Sequence, residues 1–238
     1  MAETDTHRNL MFDMIQRLSF RYQDDADVYV SGNLLLFYEE GNKRKHVSPD
    51  VFVVFGVKKM DRLNYLLWQE RKSPEFITEI TSSSTRNEDK KKKLVLYRDI
   101  IKVKEYFQFD PFGDYLNPRL QGFRLLDGDY VPIVPIDGRL PSEVLGLHLE
   151  ARGDKLLLYD PTTGQYVPTP EERAEQEKLK AEQEKLMAEQ EKQNADEKAD
   201  QERKRADEEK ERADRAEREK AELLAEIERL RRQKRNGV

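Results

Sequence analysis

Two acids and one lysine in the first half of the chain have the types and surroundings that metal-dependent phosphodiester hydrolysis needs. Asp50 precedes an apolar run at residues 51–55, and Glu79 lies inside a second run at residues 76–80. Lys93 follows on the helix predicted after that run. Two carboxylates on adjacent buried strands can hold a hard divalent cation, which prefers oxygen ligands. A lysine aimed at them can stabilise negative charge that develops on a phosphate.

Each acid also has an interpretation that involves no chemistry. A Pro-Asp pair before a strand is usually a strand-entry turn, and an acid in a strand can face water from the edge of a sheet. Strand alternation places Glu79 on the face of Ile77 and Thr81. A carboxylate buried there is costly unless it is paired or binds a cation. Both interpretations of Glu79 stay open on this pattern alone.

Lys93 is the last of four consecutive lysines that would ordinarily form a solvated helix face. The positions three, four and seven residues after it are all apolar: Leu96, Tyr97 and Ile100. The same spacing from the two preceding lysines ends at a charged residue. The helical period therefore predicts that Lys93 points inward, with its aliphatic stem along the apolar stripe.

Mg²⁺ or Mn²⁺ is the cofactor that this pattern predicts, with Asp50 and Glu79 as ligands and both acids and Lys93 as catalytic residues. The backbone carbonyl of Ile80 and water molecules can complete the metal shell. The three histidines are too dispersed for a recognisable zinc set and are expected to be surface or locally bonded residues: His7, His46 and His148. The chain contains no cysteine, so thiolate metal sites and disulfides are excluded.

Periodicity and turn residues predict the elements that must position these side chains. Apolar residues at helical spacing predict a first helix from residue 6, and a capping-box pattern at residues 85–88 opens a second helix that extends to about Ile101. Residues 58–73 are expected to be loop. Strands are predicted at residues 28–30, 34–38, 51–55, 76–81 and 105–109, with later hairpins turning at Asp127-Gly128 and Thr163-Gly164. This order predicts an α/β fold with one mixed sheet flanked by helices.

The chain changes composition at about Pro170. We expect a domain over residues 1–168 and a charged helical tail over residues 169–238, because the tail lacks the aromatic residues a core needs. Residues 174–201 repeat in sevens without a narrow apolar seam. Spacing suited to a coiled coil occurs only near the end, where Lys220 interrupts it: Ala213, Ala216, Leu223, Ile227 and Leu230. The tail could support a homo-oligomer, and whether it pairs stays open.

Charge and hydropathy limit which partners and which cellular compartment the sequence allows. The formal net charge of −5 argues against a protein that coats nucleic acid, so phosphate contacts must be local or metal-mediated. The first 13 residues contain acids and no apolar segment, so no signal peptide is expected. The longest apolar run, residues 51–57, is far too short to span a bilayer. These features predict a soluble cytoplasmic protein without membrane contact.

Three stretches, residues 37–42, 48–57 and 77–86, resemble the PD-(D/E)XK nuclease superfamily and, more closely, the Uma-type (Uma-two) family of restriction endonucleases. Residues 93–97 and 105–111 continue the resemblance, which covers roughly residues 5–170. It implies a restriction-endonuclease-like fold with DNA as the substrate. It also implies that the two acids, Asp50 and Glu79, are the metal ligands.

The chain departs from the superfamily pattern at one position. The pattern has lysine two residues after the second acid, where this chain has Thr81, and the resemblance points to Lys93 as the displaced lysine. The superfamily often adds an acid from an earlier element. Glu40 is the candidate here, with Glu39 close behind, and a solvated hairpin end is the alternative for both.

Two functions are compatible with the sequence. The first is a metal-dependent DNA endonuclease, which the combination of Asp50, Glu79 and an inward Lys93 favours. The second is a catalytically inactive nuclease-like interaction protein that assembles through its helical tail, since one fold can host many functions.

Overall fold

The computed structural model describes residues 4–81 and 92–235, which form both helices and strands. The elements in chain order are α1 (Asp5–Arg21), β1 (Val28–Ser31), β2 (Leu36–Phe37), β3 (His46–Val47), β4 (Val51–Phe55), β5 (Tyr65–Leu66), α2 (Leu67–Glu70), β6 (Phe76–Ile80), a π-helix (Leu96–Ile101), β7 (Glu105–Phe109), β8 (Leu120–Leu126), β9 (Asp129–Pro132), β10 (Leu140–Ser142), β11 (Leu147–Arg152), β12 (Lys155–Asp160), β13 (Gln165–Tyr166) and α3 (Pro170–Arg235). The capping box predicted at residues 85–88 lies outside the described residues.

A six-stranded sheet organises the first of two compact units, Met1–Ala174. Its strand order is β1-β4-β6-β7-β8-β9. The β6–β7 pair is parallel and the other pairs are antiparallel, so the sheet is mixed. The predicted α/β class with a mixed sheet is therefore confirmed. The expectation of a single sheet is wrong, because β10–β13 and β3-β2-β5 form two further sheets.

Apolar residues cover both faces of the central strands, which explains their nearly continuous hydrophobic sequences. On one face, Val53 and Phe76 pack with Met14 of α1. On the other face, Phe52 and Ile77 pack with a second cluster of buried residues. All five residues of β6 are buried. An acid on either of these strands is consequently placed beside apolar neighbours, where its charge needs a partner.

Residues 58–73, predicted to be loop, contain the short elements β5 and α2. Tyr65 of β5 is fully buried, and its ring lies 5.8 Å from that of Phe52 and 6.1 Å from that of Tyr29. A strand of two residues carries no alternation that a sequence pattern could reveal. The predicted turn at Asp127-Gly128 does connect β8 to β9, with φ of 50° and 90° at its two residues.

The first residues of α3 are bound to α1 by an ion pair. The guanidinium of Arg17, which is 4% exposed, donates from Nη1 and Nη2 to the two carboxylate oxygens of Glu172, at 2.7 Å each. Thr169 and Glu172 also form a reciprocal capping box. These contacts lie beyond the predicted boundary at residue 168. In the described residues no helix combines the length and apolar character needed to cross a membrane.

A chain that ends after residue 174 is expected to fold without the rest of α3, whereas one that ends after residue 168 should be less stable. The shorter chain loses Glu172 and leaves Arg17 without its carboxylate partner, at a cost of about 1–3 kcal/mol. Thermal unfolding of the two truncations and of Glu172→Gln in the full chain measures this. Equal unfolding temperatures for the two truncations would show that the Arg17 contact adds nothing.

Candidate active site

The pairing of β4 with β6 brings the two predicted acids to the same end of the sheet. Val51 is paired with Thr78 in an antiparallel register, so one further step sets Asp50 opposite Glu79. Side chains of directly opposed residues share a face of the sheet. The backbone N–H of Ile80 donates to Asp50 Oδ2 at 2.7 Å. Continued by one step, the register therefore sets the backbone positions of the two acids opposite each other.

Glu79 accepts hydrogen bonds from the helical segment that follows its strand. Its side chain is 1% exposed. Lys93 Nζ lies 2.9 Å from Glu79 Oε2, and the Tyr97 hydroxyl donates to Oε1 at 2.5 Å. Lys93 and Tyr97 are four residues apart, so both project from one side of the helical segment. The inward direction predicted for Lys93 is the direction it takes.

Tyr97 contacts the candidate site, and the sequence indicated this residue only as part of an apolar stripe. Burial raises the pKa of Tyr97 well above its ordinary value, and the negative charge of Glu79 is the next largest cause of this increase. Its hydroxyl therefore keeps its proton at neutral pH and donates to the carboxylate. The charge of Asp50 contributes to the same pKa increase, which indicates that both acids act on this hydroxyl.

Tyr97→Phe tests the role of this hydroxyl. It leaves one oxygen of a buried carboxylate without its donor, so the free energy of unfolding should fall by about 1–3 kcal/mol. If Glu79 is a metal ligand, loss of a group that orients it should lower cleavage by roughly 10–100-fold. Tyr130→Phe is the matched control, because its hydroxyl donates to the Val103 carbonyl and not to an acid. Similar losses in both variants would remove any special role for Tyr97.

His7 reaches Asp50, so the expectation that it is a surface or locally bonded residue is wrong. Its Nε2 lies 3.2 Å from Asp50 Oδ1, and its side chain is 15% exposed. The residues three, four and seven positions later in α1 are all buried: Leu10, Met11 and Met14. The helical-phase argument that selects Lys93 would thus have placed His7 on the inward face of α1.

The further predicted residues are placed less centrally. Glu39 and Glu40 are exposed in the turn after β2, and Glu39 accepts a hydrogen bond from Asn42. Within residues 4–81 and 92–235, no three His, Asp or Glu side chains form a group that could hold a metal ion. The structure therefore does not bring Glu40 together with Asp50 and Glu79. Thr81, at the position of the superfamily lysine, donates its hydroxyl to the Phe109 carbonyl.

The donor chemistry of the acid pair fits a divalent cation. Asp50 and Glu79 are hard oxygen donors, and a carboxylate oxygen has two lone pairs, so it can bind a cation beside one hydrogen bond. Among the contacts described for them, Glu79 faces the Lys93 ammonium and Asp50 faces the His7 imidazole. Mg²⁺ is commonly held by one or two carboxylates, with water and substrate phosphate completing its octahedral shell. A pair of acids without a third is sufficient for that mode of binding.

The comparison with family models agrees with the sequence resemblance. No curated protein matches this chain. The chain is similar in structure to a "putative nuclease belonging to DUF820" from Anabaena variabilis, with a TM-score of 0.47 and 13% identity, over 65% of this chain and 82% of that one. The sequence model of the Uma2 family, described as "Putative restriction endonuclease", matches residues 1–152, more than half of the chain. This chain belongs to the Uma2 family of restriction-endonuclease-like proteins.

Proposed function

We propose that this chain is a metal-dependent DNA endonuclease in which Asp50, Glu79 and Lys93 hydrolyse phosphodiester bonds. Membership of the Uma2 family supports nuclease function in general. The observation that most supports metal-dependent DNA cleavage is the buried Glu79 carboxylate. It lies 2.9 Å from the Lys93 ammonium, at the strand position opposite Asp50. An acid with 1% exposure, next to a second acid, has a clear use as a cation ligand.

The two acids would hold Mg²⁺ or Mn²⁺, with the backbone carbonyl of Ile80 as a further ligand. When bound, such a cation lowers the pKa of a water ligand and neutralises charge on the scissile phosphate. The surrounding residues already fix the two carboxylates. The Ile80 N–H orients Asp50, and Tyr97 orients Glu79. This rigidity favours a site that is preorganised for its ligand.

Lys93 is suited to act on the phosphate itself. Its side chain is 20% exposed, so the ammonium lies between the buried Glu79 and the solvent side from which DNA would approach. In hydrolysis, a water oxygen bonds to phosphorus while one ester P–O bond breaks, leaving a phosphate monoester and a hydroxyl group. The positive charge of Lys93 offsets the negative charge that builds up on the phosphate oxygens during this exchange.

Cleavage of supercoiled plasmid by the purified protein tests this function. Nicked and linear DNA should accumulate with Mg²⁺ or Mn²⁺, and a chelator should stop the reaction. Cleavage that continues undiminished in excess chelator would contradict metal dependence. Absence of cleavage with either metal, on several DNA sequences, would contradict the endonuclease proposal.

The helix α3 favours one alternative function. It extends over 66 residues, and its side chains are solvent-exposed from residue 174 through residue 232. A nuclease-like unit without activity could use such a helix to assemble with a second copy. A protein that self-associates and binds neither metal nor DNA would support this alternative.

A further inference from the structure

The last part of α3 carries a heptad pattern that the nuclease proposal does not use. With Ile227 at position a, Leu223 and Leu230 take position d. The same register puts Lys220 at a and Ala216 at d. The three large apolar side chains are between 44% and 64% exposed in the described helix. They form a short stripe that one helix alone leaves in water.

The residue types in this stripe favour a coiled coil of two parallel helices. β-Branched residues at a with leucine at d are the pattern of parallel two-stranded coiled coils, and Ile227 with Leu223 and Leu230 follow it. A single lysine at an a position also specifies register and a low oligomer state, at some cost in stability. Lys220 fills that role here.

The flanking charges are complementary between two copies in parallel register. In that arrangement each position g faces position e of the next heptad on the partner helix. Arg212 would then meet Glu217 of the second copy, and Glu226 would meet Arg231. Two-fold symmetry forms each contact twice. The segment therefore contributes four attractive contacts and no repulsive one between these positions.

An antiparallel pair of the same segments is disfavoured. With the apolar layers aligned, positions g face g and positions e face e. Glu219 would then meet Glu226, and two-fold symmetry forms this contact twice. The contact joins like charges, which are unfavourable across a helix interface. Charge thus selects the parallel orientation.

Charge also sets the point where pairing ends. Toward the start of α3, the g and e residues that would meet in the parallel register have the same sign: Glu177 with Glu182, Glu184 with Glu189, Glu191 with Asp196, Lys198 with Arg203, and Arg205 with Lys210. Lysine replaces an apolar residue at three successive a positions: Lys178, Lys185 and Lys192. Two helices in this register would repel each other over that stretch.

We propose that residues 212–231 pair with a second copy of this chain as a parallel two-stranded coiled coil, and that α3 before residue 212 remains a single helix. The partner is another copy because the segment is complementary to itself in this one register. The inference does not rest on the proposed nuclease function. Its failure would leave that function intact, because the readouts below measure association alone.

Introduced cysteines test the orientation, since the natural chain contains none. Under mild oxidation, full-length Ala216→Cys should form a disulfide-linked dimer, because equal d positions meet in a parallel pair. Arg218→Cys, on the outer side of the same turn, should not. Cross-linking of Ala216→Cys no faster than of Arg218→Cys would overturn the proposal. Cross-linking of Ala216→Cys with Ile227→Cys, but not with itself, would overturn it in favour of an antiparallel pair.

A third cysteine tests where pairing ends. Ala188 occupies position d within the repulsive stretch, so Ala188→Cys should cross-link at the background rate of Arg218→Cys in low salt. High salt screens exposed charges, and we expect the rate for Ala188→Cys to rise there. Rapid cross-linking of Ala188→Cys in low salt would show that the pair extends along the whole helix and would overturn this boundary.

Mass measurement by light scattering tests the apolar stripe. Leu223→Asp should shift the full-length protein from dimer mass to monomer mass, a two-fold reduction. Leu179→Asp is the matched control, because Leu179 is 56% exposed on the same helix and lies outside positions a and d. It should leave the mass unchanged. An unchanged dimer in Leu223→Asp, or an equal loss in both variants, would contradict the assignment of the stripe.

Discussion

Glu79→Ala is expected to abolish detectable DNA cleavage, with a loss of at least about 10²–10³-fold. The substitution removes one of the two proposed metal ligands and takes away the acceptor to which Lys93 and Tyr97 donate. Initial rates of plasmid nicking in saturating Mg²⁺ measure the loss. Thermal unfolding of the same preparations establishes that the variant is folded.

Glu75→Ala is the matched control for this result. Glu75 lies just before the same strand, and its carboxylate is paired with Lys104 at the surface. Exposed pairs of this kind contribute little to stability, about 0–1 kcal/mol. Cleavage should therefore stay within a few-fold of the natural protein. Substantial activity in Glu79→Ala, with folding intact, would exclude Glu79 from the catalytic site.

Lys93→Ala is expected to reduce cleavage by roughly 10²-fold or more while metal binding persists. The lysine donates to Glu79 from the helix side, and we propose that its charge acts mainly in the transition state. A transition-state role lowers kcat without a comparable increase in KM. Single-turnover cleavage of a labelled duplex at saturating protein separates the two parameters.

Lys92→Ala provides the control for charge alone. Lys92 is the neighbouring residue, is exposed, and presents the same ammonium to solvent. Its replacement should leave the single-turnover rate nearly unchanged and can weaken only general phosphate attraction. Equal losses in Lys92→Ala and Lys93→Ala would mean that the lysine run is a phosphate-attracting patch with no positioned member.

The parts of the fold predicted correctly are those with strong local patterns. The strands at residues 51–55, 76–80 and 105–109 are apolar along their length and are bounded by polar or turn residues, so their positions follow from the sequence. Alternation correctly sets Glu79 on the face of Ile77, and helical phase correctly turns Lys93 inward. Both acids and the lysine of the candidate site could therefore be selected without a structure.

The features that were missed depend on contacts between distant residues. His7 reaches Asp50 only because α1 lies against the sheet, a contact between residues 43 positions apart that no local pattern encodes. The hydroxyl of Tyr97 becomes a carboxylate donor only once β6 and the helix are packed together. Strands β3, β5 and β10 have two or three residues each, too few to show a period.

The central claim is that Asp50 and Glu79 hold a divalent cation, and calorimetric titration of Mn²⁺ into the protein tests it most directly. The natural protein should show saturable binding that is lost in Asp50→Ala and in Glu79→Ala. Lys93→Ala and Glu75→Ala should retain that binding, since neither removes a proposed ligand. Equal Mn²⁺ binding by the natural protein, Asp50→Ala and Glu79→Ala would contradict the account, as would no binding by the natural protein.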